Sequence, residues 1–558
     1  MKHTTEQQQI IETIKEGKTH LIINAVAGAG KTTTILEGLK EVPAHQTVLF
    51  CAFNVSIRNE ISKRVRSYKN SLLDVKNIHQ LGLELMKSNS LNKIKIDNFK
   101  YSRLFQEFIS SEGSSFFSRF LNLCPKNAKV ILNNKEAFHF FRKIALDGIN
   151  KVRLNLVKKD PSAFTRLNTH YNIVDSGLFK ENATDLIDLF FVLIFTLIEK
   201  GNNTYFEKGT IDFTDMLYLP MVLNYRPLTT YDRIFIDECQ DLSRAQLGIV
   251  LKYTDQSTKV VVVGDPHQSI YGFTGADSDS FSNFYTILEN PMTLPLSVSF
   301  RCPEVVTKLA ANFRKDIISG TTVTGCVKTI EEDELYENIM PGDMILCRWK
   351  DSLIVTAFKL LTSNKPIYID VEEINDMIKQ LTAIFSDKDL NTPCGDWLLS
   401  ANFYQEVKNK NIKIFTSTLS TKLSYEAKSL EISNFNYLMD SKLQFIKFLY
   451  KNYGDSSLSL SQLCNKSSKL ISNSGQRIWL STIHKAKGLE AHNVFILKYN
   501  EMPLKYPGQK SWELEQELNL QYVAITRTKK QLFLVEEYKK QKNSSNLSSS
   551  INDTFFSF

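Results

Sequence analysis

Residues 25–34, Ala-Val-Ala-Gly-Ala-Gly-Lys-Thr-Thr-Thr, follow the apolar run Leu21-Ile22-Ile23 and have the composition of a loop that holds a polyphosphate. A strand running into small residues and then Lys-Thr sets successive backbone N–H groups, a helix N-terminus and one ammonium around the same anion. Gly28 and Gly30 allow the tight turn and the close backbone approach, Lys31 can reach the β- and γ-phosphates, and the Thr32 hydroxyl can coordinate Mg²⁺. Ala25, Val26, Ala27, Ala29 and Thr33 complete the cradle. The segment reads as a P-loop with one departure, because the strict pattern opens on glycine and this chain has Ala25. A second cluster lies in Phe-Ile-Asp-Glu-Cys-Gln-Asp at 235–241, an apolar strand that ends in adjacent carboxylates. Asp237 is placed to hold Mg²⁺ beside the P-loop, and Glu238 to orient and deprotonate an attacking water. An isolated Asp-Glu at a strand end is more often a solvated cap. In the company of a P-loop it reads as a catalytic pair.

These segments need strands to carry them. Apolar runs at 47–53, 233–238, 259–265, 343–348 and 493–497 suit parallel sheets covered by helices, and strand-like and helical stretches alternate in two separated blocks. The expected fold is therefore α/β with two units, 1–82 with 205–310 and 311–370 with 476–538. The stretches 83–204 and 371–475 are rich in helix formers, carry no phosphate-binding signature, and read as inserted, mainly helical subdomains. The Ser/Asn-rich end, 539–558, reads as a disordered tail.

A chain of 558 residues exceeds what one core organises, and 42% hydrophobic with 23% charged residues is ordinary globular composition. The net charge of +8 permits a polyanionic partner without demanding one. The eight cysteines are scattered, with no C-x-x-C pair to suggest zinc or a redox dithiol. The longest apolar run, ten residues at 189–198, is too short to cross a bilayer and reads as a buried helix. With a polar N-terminus lacking a secretion-type apolar core, a cytoplasmic location is expected and no membrane partner.

The D-E-x-Q-D run, taken with Gly-Asp-Pro-His-Gln-Ser-Ile-Tyr-Gly-Phe-Thr-Gly-Ala at 264–276, resembles the UvrD/Rep class of superfamily 1A DNA helicases, and the match follows the ordered motif set over roughly 4–535. Phe-Asn-Val-Ser-Ile-Arg-Asn-Glu-Ile at 53–61 is closest to the F-box-type branch, without an F-box segment. The resemblance implies two RecA-like motor domains, ATP and Mg²⁺ as cofactors, and single-stranded DNA and single/double-strand junctions as partners. It places Gln7 at the adenine edge, Gln268 as the γ-phosphate sensor, and Phe300 and Arg301 at the adenine and the γ-phosphate. It makes Arg527 a second arginine finger and brings Gly488 and Glu490 near the nucleotide sugar, with Arg348 a further nucleotide-side arginine. Phe53, Asn54, His79, Tyr271, Phe273, Thr482 and His484 fall at its DNA contacts, with Tyr271 and Phe273 as base-stacking aromatics. Where the family has Trp-Arg this chain has Phe273-Thr274, which keeps a stacking face and loses a cation.

The implied activity is ATP-driven 3′–5′ translocation and unwinding of DNA in replication, repair or recombination. Two alternatives remain open: a single-strand translocase that displaces proteins with little unwinding, and a non-catalytic ATP-gated DNA-binding switch. The apolar end Ile-Asn-Asp-Thr-Phe-Phe-Ser-Phe at 551–558 could dock on replication or repair proteins.

Overall fold

The computed structural model describes residues 3–53, 55–68, 72–90, 92–124, 134–174, 182–277, 279–418, 425–471, 475–506 and 508–536. Asn54 and the tail 539–558 lie outside the described residues.

The chain folds as two compact units. One runs to Phe300 and takes back Lys505–Asn519; the other holds Arg301–Leu504 and resumes at Leu520. The first unit is built on strands β1 (Leu21–Ala25), β2 (Val48–Ala52), β3 (Leu73–Asn77), β4 (Arg233–Ile236), β5 (Lys259–Gly264) and β6 (Met292–Leu296), all parallel, in the order β3-β2-β4-β5-β1-β6. Their β-branched runs, such as the four valines of β5, are stiff at χ1 and fit strands buried on both faces. The second unit repeats the plan with β7 (Cys326–Glu331), β8 (Met344–Cys347), β9 (Ile367–Tyr368), β10 (Ile478–Thr482), β11 (Ala491–Leu497) and β12 (Thr528–Glu536). Their order is β7-β12-β11-β8-β10-β9, again all parallel. The α/β class and the two parallel sheets expected from sequence are the observed architecture.

Both insertions are helical. In the first, Lys100–Ser111, Ser114–Leu123, Asn134–Leu154 and Pro161–Tyr171 gather around the helix Ala183–Lys208, which contains the apolar run at 189–198. Phe105, Phe120, Phe141, Phe164 and Phe190 are fully buried there, an aromatic-rich core independent of the sheet. In the second, Val371–Thr382, Ala401–Thr418, Tyr425–Tyr453 and Leu460–Ile471 share one core with their parent sheet and with the helix Lys350–Thr362, whose Phe358 stacks on Phe445 at 4.6 Å. Among the described residues no helix is long and apolar enough to cross a membrane.

The passage at Phe300/Arg301 falls inside the stretch that sequence patterning assigns to the first half, and Lys505–Asn519 inside one it assigns to the second. Long-range packing explains the latter. The Trp512 indole stacks on His170 with centroids 4.9 Å apart and donates to its carbonyl at 3.1 Å, while the Asn519 amide donates to the Ser269 carbonyl at 2.9 Å.

Candidate active site

The loop after β1 enters the helix Lys31–Lys40 through two glycines in left-handed backbone, Gly28 at φ +74° and Gly30 at φ +75°. Gly30 is the helix N-cap and brings no side-chain oxygen, so none competes for the N–H groups of the first turn. The Gly28 carbonyl accepts from the Phe300 backbone N–H at 2.9 Å, which ties a half-exposed phenyl ring to the loop. Ala25 is the last residue of β1, fully buried, paired with Leu296 and outside the left-handed region. A Cβ there imposes no backbone strain, which explains why the departure from the strict pattern is tolerated. Val26, Ala27 and Ala29 are likewise buried, and Thr33 is exposed. Gln7 is buried in a capping box in which its Oε1 accepts from the Thr4 N–H at 3.1 Å, and its Nε2 points toward Gly30.

In a parallel sheet the carboxyl ends of neighbouring strands open on one edge. The ends of β1, β5 and β4, adjacent in that order, bring the P-loop, Gly264-Asp265 and Asp237-Glu238 together. The Thr32 hydroxyl donates to Asp237 Oδ2 at 2.7 Å, and Lys31 Nζ lies 3.0 Å from Glu238 Oε1. Glu238 sits in the left-handed region at φ +54°, a strained backbone of the kind held in place at functional sites. Its Oε2 accepts from Gln240 Nε2 at 2.6 Å, Gln240 Oε1 accepts from the Asp265 N–H at 3.1 Å, and Asp265 Oδ2 accepts from Gln268 Nε2 at 2.7 Å. A Cβ on Gly264 would fall 2.5 Å from Gln240 Oε1, so this path exists only over a glycine. Burial, and secondly the Glu238 charge, push the Asp237 carboxyl up to about 6. Burial works against the Lys31 ammonium, but Glu238, Asp265 and Asp237 outweigh it and hold its pKa above the ordinary lysine value. A hydroxyl and a buried carboxylate carrying uncompensated charge are hard oxygen donors, and they fit Mg²⁺.

In the second unit, Arg301 Nε donates to Glu490 Oε2 at 2.6 Å and its Nη1 to the Thr526 carbonyl at 3.1 Å. Lys529 closes on the other Glu490 oxygen. Burial alone would raise the Glu490 pKa, but Lys529 and Arg301 hold it below the ordinary carboxylate value. Arg527 is 1% exposed and donates from Nε to the Val523 carbonyl at 3.0 Å and from Nη1 to the Leu489 carbonyl at 3.3 Å. Gly488 is in left-handed backbone at φ +89°, with open space where a side chain would stand. Thr482 ends β10, and His484 follows two residues on. Desolvation and the neighbouring Arg348 guanidinium push the His484 pKa down to about 3, so the imidazole is neutral. Lys485, which sequence reasoning passed over, pairs with Glu372 at 2.9 Å and Asp370 at 3.4 Å at the start of the second insertion.

On the first unit, Phe53 stacks on Tyr271, with ring centroids 6.2 Å apart and 16° between planes. Phe273 is half-exposed in the next turn, and Thr274 turns its hydroxyl back onto the Tyr271 carbonyl at 2.7 Å. His79, whose pKa burial lowers, meets Phe213 edge to face at 6.3 Å. Sequence reasoning missed Phe213, Gln240's bridging place and Asp265. An aromatic between aspartates, Asp212-Phe213-Thr214-Asp215, is the only sequence signal for the first.

Residues 3–288 match the UvrD/REP helicase N-terminal domain, and residues 477–535 match the UvrD-like helicase C-terminal domain. The chain is 24% identical to F-box DNA helicase protein 1 of Schizosaccharomyces pombe over 96% of this chain and 58% of that protein, so it spans little more than half of that relative. It is 23% identical to the ATP-dependent DNA helicase Rep of Buchnera aphidicola subsp. Baizongia pistaciae over 92% of this chain and 88% of that protein. A probable DNA helicase II homolog of Mycoplasma capricolum is 22% identical over 77% and 75%. The first domain match alone spans half of the chain, from the helix bearing Gln7 past the Gln268 loop, and the second takes in Glu490 and Arg527; the chain belongs to the UvrD/Rep helicase family.

Proposed function

We propose that this chain is an ATP-dependent 3′–5′ DNA motor that moves on single-stranded DNA and unwinds duplex, acting in replication, repair or recombination. The observation that carries this reading is the continuous polar path from Lys31 through Glu238, Gln240 and Asp265 to Gln268, three residues before the Tyr271 ring stacked on Phe53. Lys31 and the N-terminus of its helix bind the polyphosphate. A phosphate that takes the Lys31 ammonium releases Glu238 from its ion pair, so the carboxylate becomes available to orient water when substrate is present. Gln268 shares Asp265 with that path and passes a change at Glu238 to the aromatic loop. Thr32 and Asp237 would hold Mg²⁺, which when bound neutralises charge on the β- and γ-oxygens. Arg301 and Arg527 serve the transferring phosphoryl group only after leaving Glu490 and the Val523 and Leu489 carbonyls. Gln7 and Phe300 contact the adenine, and Phe53, His79, Tyr271, Phe273, Thr482 and His484 line the DNA.

The test is steady-state ATP hydrolysis with and without single-stranded DNA, followed by strand displacement on paired substrates with 3′ or 5′ overhangs. Stimulated hydrolysis and unwinding from the 3′ overhang are expected. A 5′ preference overturns the polarity, and hydrolysis without strand displacement leaves a translocase. Absent hydrolysis leaves an ATP-gated switch.

A further inference from the structure

The first insertion meets the parent domain through a cluster of buried charge that the nucleotide site does not use. Lys100 and Arg153, on two helices of the insertion, have side chains 1% and 0% exposed. They face Asp212 and Asp215, which flank Phe213 in the turn after the helix Ala183–Lys208. Arg153 grips both oxygens of Asp212, at 2.8 Å from Nη1 and 2.9 Å from Nη2, and its Nη1 also reaches Asp215 at 2.9 Å. The Ile149 carbonyl and the Asn150 side chain take its remaining donors, and the Tyr101 ring lies 4.0 Å beneath the guanidinium, so all five N–H bonds have acceptors. Lys100 Nζ sits 2.6 Å from the other Asp215 oxygen.

The same carboxylates close the turn. The Asp215 N–H donates to Asp212 Oδ1 at 2.7 Å, and the Asp212 N–H to Asp215 Oδ2 at 3.1 Å. Phe213 and Thr214 are thereby left at the tip, and the Phe213 ring, 51% exposed, stands edge-on to His79. On the other flank the insertion's Lys95–Ile96 pairs with Thr210–Ile211, and the Asp97 N–H donates to the Ile211 carbonyl at 2.7 Å. Two carboxylates this close repel unless cations lie between them, and a buried charge left without its partner is costly. The turn therefore takes its shape from the insertion.

We infer that Lys100 and Arg153 are positioning residues for single-stranded DNA binding: they hold the Asp212–Asp215 turn so that Phe213 is presented, beside His79, as a stacking face for a base. This rests on the DNA-motor reading above. It makes the first insertion part of the DNA grip through residues that never touch DNA.

The experiment compares nucleotide-free binding of the full chain to a fluorescent oligothymidylate and to an abasic strand of the same length, which keeps the phosphates and lacks the bases. The unmodified chain should prefer the base-bearing strand. Arg153→Lys keeps the charge and loses the fork. It should cut that preference by roughly fivefold or more, the lower bound for one lost base stack, and leave abasic affinity within about twofold. Phe213→Ala should do the same, and the double variant should lose no more than either single one. Equal weakening toward both strands, or additive losses, overturns the proposal. If Arg153→Lys fails to fold by circular dichroism, Lys100→Met with Asp215→Asn removes one cation and one carboxylate together and is read identically. A wild-type chain that ignores both strands overturns the DNA-motor reading and this proposal with it. One that binds both equally overturns this proposal alone.

Discussion

The two units hold their key charges in opposite ways. In the first, Lys31, Asp237, Glu238 and Asp265 converge from three neighbouring strand ends, with more negative charge than one lysine balances, and burial, with the Glu238 charge second, pushes Asp237 up to about 6. In the second, Arg301 and Lys529 enclose Glu490, and Arg527 is turned onto carbonyls of its own unit. The first site is short of positive charge, so on the proposed reading it takes a polyphosphate together with a cation. The second has satisfied its arginines internally. On the reading proposed above, binding begins at the first unit, and the second contributes only once its arginines exchange partners.

The largest expected effect comes from the first site. Lys31→Ala should lower kcat by about 10³-fold, the scale of electrostatic clamping in phosphoryl transfer, with nucleotide-free DNA affinity within about twofold by fluorescence anisotropy. Joint loss of both would break the comparison, because the lysine would then be holding the fold. Arg301→Lys keeps the charge and loses the fork, and kcat should fall about 10²-fold. Glu490→Gln, which releases Arg301 and Lys529 from their shared partner, should change kcat by no more than about fivefold in steady-state assays.

The Asp237 pKa sharpens the contrast further. Because it is raised to about 6, protons compete for the carboxylate below that pH, and the Mg²⁺ concentration for half-maximal hydrolysis should rise about tenfold between pH 7 and pH 5. A raised carboxyl pKa favours the folded state at low pH and loses that contribution as pH climbs through about 6. Asp237→Asn should therefore raise the thermal midpoint of the metal-free protein at pH 7 and leave it unchanged below about pH 4. Smallest of all, Ala25→Gly should cost about 0.5–1 kcal/mol in denaturant unfolding, with KM for ATP unchanged within about twofold.

Much of this was legible in the chain because the chemistry is local. Gly28, Gly30, Lys31 and Thr32 are consecutive, and a buried strand ending in Asp237-Glu238 advertises itself. The two parallel sheets followed from β-branched runs such as the valines of β5. What escaped depends on distance in sequence. Gln240 bridges Glu238 to Asp265 only because β4 and β5 lie side by side, and Asp265 in Gly-Asp-Pro-His-Gln resembles any Asp before a proline turn. Phe213 reads as an ordinary aromatic, because Arg153, which clamps Asp212 and Asp215 on either side of its turn, lies 59 and 62 residues from them. The orientation of Arg527 follows from a helix end folding back on its own carbonyls, which no motif spacing records.

The return of Lys505–Asn519 to the first unit bears on any attempt to dissect the protein. A product ending at residue 300 would lack Trp512 against His170 and Asn519 on the Ser269 carbonyl, and would bare Gly272 where Gln516 now lies. Severed fragments 1–300 and 301–558 should thus copurify through that docked segment and regain hydrolysis when mixed, whereas the N-terminal piece alone should aggregate.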